Sequence, residues 1–488
     1  MKDVDSIEPL AQRAARAAGW SALEIASRYL TQFAVTIFLA RLLVPSDFGV
    51  VAVLLVFTAI SGVLVNGGFG LALIQRAEID DSDATTVFIA TMCAAVFVCV
   101  LLWLAVPAIS GFFAQPLLEP LAKICFLVVP ISALCVVPDA LLTRRLDFRS
   151  RAKVELVASI SSGVSAVCMA KGGMGAVSLV GQVVVAALVR AMLVWLYAGW
   201  TPRGQFRRIA FSRLFRFGGY MMAANLMSMV SVRLQLLVLG RFFGAQVVGQ
   251  YTLAQNIQEA PAQFLAGVMG RVGLPTFASA RALPGGLAAA MRASLRVSMF
   301  IFAPCMFGLA AVSDALIAVL FGPQWLVAAP VLSILAVASV TWPLHLVNLS
   351  AYSAVAHADL VFRLEIVKFF VSVPLLIVGC LWGLVGMAGA VALSSLLCVL
   401  INGWNAKRLL SYGLLSQVGD SLGVLLLAMA VAFLARVCLI IFGTGVCGLL
   451  IGVGVAATVY ACAAALLRFS AWKVSLTLIK GIVGGRGG

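Results

Sequence analysis

FLARLLVPSDFGVV, from Phe38 to Val51, reads as the end of one apolar helix, a short polar joint and the start of the next. At an offset of 200 residues VLGRFFGAQVVGQY, Val238 to Tyr251, aligns with it, matching Arg41 to Arg241 and Gly49 to Gly249. Shorter echoes follow in order. GMGAVSL (Gly173 to Leu179) matches MAGAVAL (Met387 to Leu393), and RAKVE (Arg151 to Glu155) resembles VFRLE (Val361 to Glu365). Each half then holds six spans, and an even number returns the chain to its starting side, so the repeats are parallel rather than inverted.

The same reading carried along the chain gives about fourteen apolar runs, beginning near Gly19, Phe48, Ala84, Glu119, Lys153, Ala176, Leu214, Val247, Met291, Leu326, Val361, Leu384, Gly419 and Gly445. Each is about 20 residues, enough to cross roughly 30 Å of hydrocarbon as a helix. Composition agrees: 63% of the 488 residues are hydrophobic and 11% charged, with a mean hydropathy of +1.11, against roughly half apolar and a quarter charged in soluble domains. A water-soluble fold is excluded. The expected fold class is an all-α polytopic membrane protein of about 14 transmembrane helices, with two parallel six-helix repeats forming N- and C-lobes and two extra C-terminal helices. Its divisions are 1-18, a cytoplasmic N-terminal segment; 19-200, the N-lobe; 201-213, a basic cytoplasmic linker; 214-406, the C-lobe; 407-418, a cytoplasmic loop; 419-467, the last two spans; and 468-488, a cytoplasmic tail.

Charge sets the orientation. The net charge is +16, but Lys and Arg lie in short segments between apolar runs rather than on one basic domain, which points to lipid headgroups and topology and away from nucleic acid. Most of them fall on the side of the N-terminus, above all Arg144, Arg145, Arg149, Arg151 and Lys153 in one loop and Arg203, Arg207, Arg208, Arg213 and Arg216 in another. By the positive-inside rule both termini are cytoplasmic. The first 18 residues carry Asp3, Asp5 and Glu8 without a signal-peptide pattern, so the first helix is expected to direct insertion. All eleven cysteines fall within apolar runs, form no CxxC and read as small core residues.

A charged side chain at mid-bilayer costs about 2.5–3.5 kcal/mol on insertion scales, so intramembrane polar residues are the functional candidates. In the first span Ser21, Glu24, Arg28, Thr31 and Gln32 recur at spacings of three and four, with Glu24 one turn before Arg28. The plainer reading of that pair is self-neutralisation at the inner interface. In the eighth span Thr252, Gln255, Asn256, Glu259 and Gln263 share one face, with Pro261 marking a kink. Hydrocarbon disfavours a carboxylate, which makes Glu259 a candidate proton or coupling-ion site; the alternative is a neutral acid that only packs two helices.

In the seventh span Asn225, Arg233 and Gln235 spread over an arc, and Arg233, near mid-span, needs a partner. Arg190, Glu365 and Lys368 are further candidates; Asn66, Asp139, His345 and Asn348 are weaker single positions, and a lone intramembrane His reads as a packing residue rather than a metal ligand. The last two spans, Gly419 to Ile441 and Gly445 to Leu467, hold almost no polar residue beyond Arg436 and are expected to face lipid or a partner. No GxxxxGK[ST] phosphate loop and no segment large enough for a glycosyltransferase domain is present, so a transporter is expected rather than an enzyme.

ARLLVPSDFGVVAV (Ala40 to Val53), NGGFGLALIQRAEIDDSDATTVF (Asn66 to Phe88), PDALLTRRLDFRSRAKVEL (Pro138 to Leu156) and VGQYTLAQNIQEAP (Val248 to Pro261) resemble signature stretches of the Wzx-type polysaccharide transporter family of the MOP flippase superfamily. The likeness runs from about Gly19 to Lys407 and is silent about the sugar. It implies two six-helix lobes rocking about a hydrophilic cavity in a bacterial inner membrane. The implied substrate is an undecaprenyl-pyrophosphate-linked oligosaccharide, with membrane lipid, a polysaccharide polymerase and export proteins as further partners.

On that reading cavity cations offset the pyrophosphate. Arg28 and Arg233 are first for that role and Arg190 and Lys368 behind them, with Gln255, Asn256, Asn225 and Gln32 for the remaining polar contacts. Glu24, Glu259 and Asp139 are the coupling-ion candidates, for protons or sodium; no cofactor and no metal centre are expected. A cation-coupled multidrug exporter of the same superfamily and a non-transporting scaffold of a polysaccharide assembly complex are the alternatives.

Overall fold

The computed structural model describes residues 29–66, 68–75, 80–145, 147–280, 285–354, 358–404 and 406–467. The described residues form helices and short turns, without strands. Contacts divide the chain into two compact units, Met1–Gly249 and Gln250–Gly488.

In unit 1, α1 (Tyr29–Leu42) is followed by α2 (Pro45–Asn66), α3 (Phe69–Gln75), α4 (Asp81–Phe113), α5 (Leu118–Cys125), α6 (Val128–Arg144), α7 (Phe148–Lys171) and α8 (Ala176–Ala198). Starts are written in the sequence. Pro45 supplies a preset φ in the first turn of α2, Asp80 caps α4 by accepting from the Asp83 N–H at 2.7 Å, and Asp147 caps α7 through Ser150 at 3.0 Å. Then α9 (Arg208–Ala280) runs on for 73 residues but breaks at Gly244, whose φ of 77° only glycine adopts without strain. The break falls where the sequence places the joint between its seventh and eighth spans.

Unit 2 continues with α10 (Gly286–Ala311), α11 (Ser313–Leu320), α12 (Ala328–Ser339), α13 (Trp342–Ala354), α14 (Ala358–Cys380), α15 (Gly383–Trp404), α16 (Ala406–Leu410), α17 (Leu414–Phe442) and α18 (Val446–Leu466). Prolines inside α4, α6, α10 and α14 are tolerated, as membrane helices allow when neighbours satisfy the freed backbone groups.

Ten helices among the described residues are long and apolar enough to cross a membrane, or eleven when α12 and α13, bent by 42°, count as one span. About fourteen spans are expected from sequence, and the difference has physical causes. The first lies partly outside the described residues; α9 qualifies once, as Asn225–Gln263; and α14 carries Arg363, Glu365 and Lys368, too much charge for a purely apolar test. Many large apolar side chains are exposed on both units, among them Leu104, Met192, Phe370, Leu415, Phe433 and Ile440. In water such a surface would be untenable; in a bilayer it is the solvent contact.

The last two helices differ from expectation. α17 starts five residues earlier than the sequence reading has it, packs along α10, and buries Gln417 and Ser421 inside unit 2. Lipid-facing residues such as Leu422, Leu426 and Phe433 occupy only part of its circumference.

Candidate functional site

In unit 1 three helices bring four charges together. Asp139 on α6 is bonded by Arg190 of α8 (Nη2 to Oδ2, 2.9 Å) and by Arg151 of α7 (Nε to Oδ1, 3.2 Å). Glu155 of α7 lies 3.2 Å from Arg190 Nε, without the alignment of a hydrogen bond. Arg151 also donates to the Thr143 hydroxyl at 3.0 Å. Two guanidinium groups and two carboxylates cancel, which is how a bilayer protein keeps ionised groups among its helices. Of this set the sequence singles out Arg190 and Asp139 as separate candidates; the structure joins them, and adds Arg151 and Glu155. In the sequence Arg151 stands out as a topology signal, and both it and Glu155 fall in the repeat RAKVE and the stretch Pro138 to Leu156, none of which hints at a partner for Glu155 35 residues away.

Arg233 differs. It is half-buried on α9, its Nε is buried with no hydrogen-bond acceptor, and no carboxylate among the described residues pairs with it. An orphaned buried donor costs about 1–3 kcal/mol, more for a charged group. Asn225, two turns earlier on α9, is exposed. Gln32 on α1 is exposed, and its carbonyl accepts from Thr36. Arg28 and Glu24 lie outside the described residues.

In unit 2 two residues of the α9 stripe are joined, Gln255 Nε2 donating to Glu259 Oε1 at 2.7 Å, whereas Asn256 and Gln263 are exposed and Thr252 keeps a buried, unpaired hydroxyl. Lys368 is buried and held by Glu365 at 2.7 Å, so its charge is answered within the protein.

The larger polar feature of unit 2 was not foreseen. One face of α13 carries His345, Asn348 and Tyr352. His345 bonds Asn402, Tyr352 donates to the Asn402 carbonyl at 2.6 Å, and Asn348 exchanges two hydrogen bonds of 2.9 Å with Gln417. Gln417 also donates to the Tyr412 carbonyl, Tyr412 to Asp420 at 2.7 Å, and Asp420 accepts from Arg292 (2.9 Å) and Arg296 (2.7 Å). The Tyr412 hydroxyl holds its proton well above the usual range, first through burial and then through the Asp420 bond. Only His345 and Asn348 stand out in the sequence, as single positions.

At another edge of unit 2, Arg436 Nη1 meets both Asp314 oxygens at 2.6 and 2.7 Å beside a groove of about 510 Å³ lined by Ser313, Pro330, Ser333 and Phe433. Burial raises the proton affinity of Asp314, but the Arg436 hydrogen bond, the Ala315 N–H and the Arg436 charge more than offset it, so the carboxyl sits below its ordinary value. No cluster of His, Cys, Asp and Glu among the described residues could hold a metal.

A family model described as polysaccharide biosynthesis protein matches residues 38–330. The chain is 31% identical over 329 residues to the succinoglycan biosynthesis transport protein ExoT of Rhizobium meliloti (strain 1021), covering 67% of this chain and 66% of that protein. It is 27% identical to the teichuronic acid biosynthesis protein TuaB of Bacillus subtilis (strain 168), over 62% of this chain and 64% of that one. It is 28% identical to the lipopolysaccharide biosynthesis protein WzxC of Escherichia coli (strain K12), over 80% of each. The first two relatives are thus matched over slightly less than two thirds of their length.

Among solved structures the fold is similar to lipid II flippase MurJ in an inward closed conformation, with a TM-score of 0.76 at 14% identity over 92% of this chain and 98% of that one. It is also similar to a MATE family multidrug transporter of the MOP superfamily in an inward-facing conformation, at 0.63 and 14% identity over 79% and 95%. By its family match over residues 38–330, with these relatives beside it, this chain belongs to the polysaccharide biosynthesis protein family.

Proposed function

We propose that this protein is a flippase that moves an undecaprenyl-pyrophosphate-linked oligosaccharide repeat unit from the cytoplasmic to the periplasmic leaflet of a bacterial inner membrane, by alternating access of two lobes. Its termini are cytoplasmic, and a polysaccharide polymerase and export proteins act after it. Transport rather than catalysis fits a chain whose relatives carry names of transport and polysaccharide assembly. The observation that carries the substrate reading is Arg233: a reachable guanidinium within a membrane helix, with a buried N–H that has no acceptor. A diphosphate oxygen supplies both the missing acceptor and the missing charge. A pyrophosphate and sugar head cannot enter hydrocarbon, whereas a prenyl tail remains in it, so the protein need shelter only the head.

Arg190 and Lys368, already answered by protein carboxylates, rank behind Arg233 as headgroup ligands, and Arg28 keeps the place the sequence gives it. Gln255, Asn256, Asn225 and Gln32 remain candidates for sugar contacts. Glu24, Glu259 and Asp139 remain candidates for proton or sodium coupling.

The test is export in a deletion strain complemented with variants at equal membrane level. The deletion should accumulate lipid-linked repeat units on the cytoplasmic leaflet and lose surface polysaccharide. Arg233→Ala should lower export about 10- to 100-fold, the loss of one charged hydrogen-bond partner at about 1.5–3 kcal/mol, and Arg233→Lys should recover part of it. Unchanged polymer in the deletion strain rules out the flippase; drug resistance without a polysaccharide phenotype favours the exporter; full activity of Arg233→Ala favours a scaffold.

A further inference from the structure

At one end of unit 2, α17 meets the turn between α10 and α11. Arg436 follows Ala432 and Phe433 by one turn, on the same face of α17. Its three hydrogen bonds all leave from Nη1: to Asp314 Oδ1 at 2.6 Å, to Asp314 Oδ2 at 2.7 Å and to the Ala311 carbonyl at 3.3 Å. The other edge of the guanidinium, Nε with Nη2, donates to nothing among the described residues, and the side chain is 45% exposed. Asp314 accepts from Arg436 and from the Ala315 N–H at 2.9 Å, and its side chain is 35% exposed. An ionised carboxylate offers about four acceptor sites, so one more donor can be taken. A cation and an anion thus lie side by side, each with bonding capacity left over.

The groove of about 510 Å³ runs beside this pair. Three of its lining residues are alanines from three helices, Ala310 of α10, Ala329 of α12 and Ala432 of α17, and side chains that small leave a depression where the helices converge. Phe433, also in the lining, is 72% exposed among the lipid-facing residues of α17, so the groove is open to the bilayer. Helix length sets its depth. The 29 residues of α17 extend about 43 Å at 1.5 Å each, which matches a bilayer with both headgroup layers, about 40–45 Å. Arg436 lies six residues before the end of α17, about 9 Å in, where hydrocarbon gives way to glycerol and phosphate. A lipid entering the groove sideways brings its phosphate to this level and its acyl chain below it.

We propose that this groove seats one phospholipid of the phosphatidylethanolamine class, with its phosphate on Nε and Nη2 of Arg436, its ammonium on Asp314 and an acyl chain along Phe433. The charges select the headgroup. The free guanidinium edge matches two phosphate oxygens. The carboxylate beside it repels a headgroup whose only charge is negative, as in phosphatidylglycerol, but receives an ammonium two carbons beyond the phosphate. Choline carries the same charge without an N–H to donate, so it supplies less. Neither Arg436 nor Asp314 has to release the other. The seat takes a bulk lipid rather than the transported one, and it needs nothing from the transport reading. Its effect is to fasten α17 to α10, α11 and α12 at this end, as Asp420 with Arg292 and Arg296 fastens α17 to α10 near the other.

The experiment uses the full chain, purified in detergent, stripped of lipid and titrated with phosphatidylethanolamine, phosphatidylcholine or phosphatidylglycerol of the same acyl chains, with bound lipid read by native mass spectrometry. Wild type should take up one phosphatidylethanolamine about tenfold more tightly than phosphatidylglycerol, the worth of one charged hydrogen bond, with phosphatidylcholine between them. Ser333→Leu, which fills the groove and leaves both charges in place, should weaken that binding about tenfold. Leu415→Ala, at the other end of α17 and 90% exposed, should leave it unchanged. Asp314→Asn should bring the ethanolamine and glycerol lipids to within about twofold of each other. Equal affinity for these two lipids in wild type, or undiminished binding by Ser333→Leu, overturns the seat and leaves the ion pair as a clasp alone. Water-soluble glycerophosphoethanolamine binding as tightly as the lipid also overturns it, since the groove then contributes nothing. Should the variants fail to accumulate, the order of the three lipids on wild type decides.

Discussion

Replacing Gln417 separates two views of the C-terminal helices: a lipid-facing appendage, or a part fastened into unit 2. Gln417 is 1% exposed and Asn348 fully buried. Removing the Gln417 amide strands three polar groups, namely Asn348 Nδ2, Asn348 Oδ1 and the Tyr412 carbonyl. Removing the Asn348 amide strands only Gln417 Oε1, because Gln417 Nε2 keeps Tyr412. Hydrogen bonds between membrane helices average about 0.6 kcal/mol and reach about 1.7, and a stranded buried group costs about 1–3. Gln417→Ala should therefore destabilise by about 2–3 kcal/mol and Asn348→Ala by about 1. The double variant should cost at least about 1 kcal/mol less than the sum, since the second removal strands little that the first had not.

The assay is thermal unfolding in detergent followed with a thiol-reactive dye, for which buried Cys99, Cys125, Cys135, Cys380 and Cys438 are built-in reporters. A shift on the order of 4 °C is expected for Gln417→Ala. Equal costs for the two single variants, or additivity within about 0.3 kcal/mol, would refute the reasoning.

Two further outcomes concern other parts of the molecule. Because the Asp314 carboxyl is held below its ordinary value in the folded protein, its link to Arg436 stabilises above the unfolded value and is lost as pH falls through the folded one; the difference in melting temperature between wild type and Asp314→Asn, measured from pH 6 down to pH 3, should shrink toward zero, and a constant difference would contradict this. Gly204→Ala should weaken unit 1, since its Cβ would lie 2.5 Å from the Asp81 carbonyl and from Ser82 Cα, and faster trypsin cleavage after Arg203 and Arg207 would register it; cleavage at the wild-type rate counts against the docking.

Spans were legible because the hydrophobic pattern is local: every helix long enough to cross lies on an apolar run, and even the break at Gly244 falls on a joint the sequence marks. Partnerships were not, because they join distant positions. Arg190 and Asp139 are 51 residues apart and Asn348 and Gln417 are 69 apart, and no spacing rule links such pairs. Asp420 and Gln417 were overlooked because the surrounding run is so apolar that its polar members read as noise; in the fold they lie in the first two turns of α17, where one helix face meets α10 and α13. The offset of 200 was visible as two faint matches, Arg41 with Arg241 and Gly49 with Gly249, but a sequence alignment cannot tell that a Cβ on Gly49 would overlap the carbonyl of Ala245 and one on Gly249 the carbonyl of Pro45.

The segment after α8 is bound along its length. Trp200 packs with Phe88 and Trp195, the Gly204 N–H donates to Thr85 at 3.1 Å, the Arg207 N–H donates to Thr86 at 3.0 Å, and the Arg207 guanidinium pairs with Asp80 at 2.7 Å. During synthesis the first turn of α4 precedes this segment by more than 100 residues, so its docking surface is available before α9 leaves the ribosome. Vectorial insertion would then proceed against a finished template, and a nascent chain arrested once Arg207 has cleared the ribosomal exit tunnel should already resist protease there.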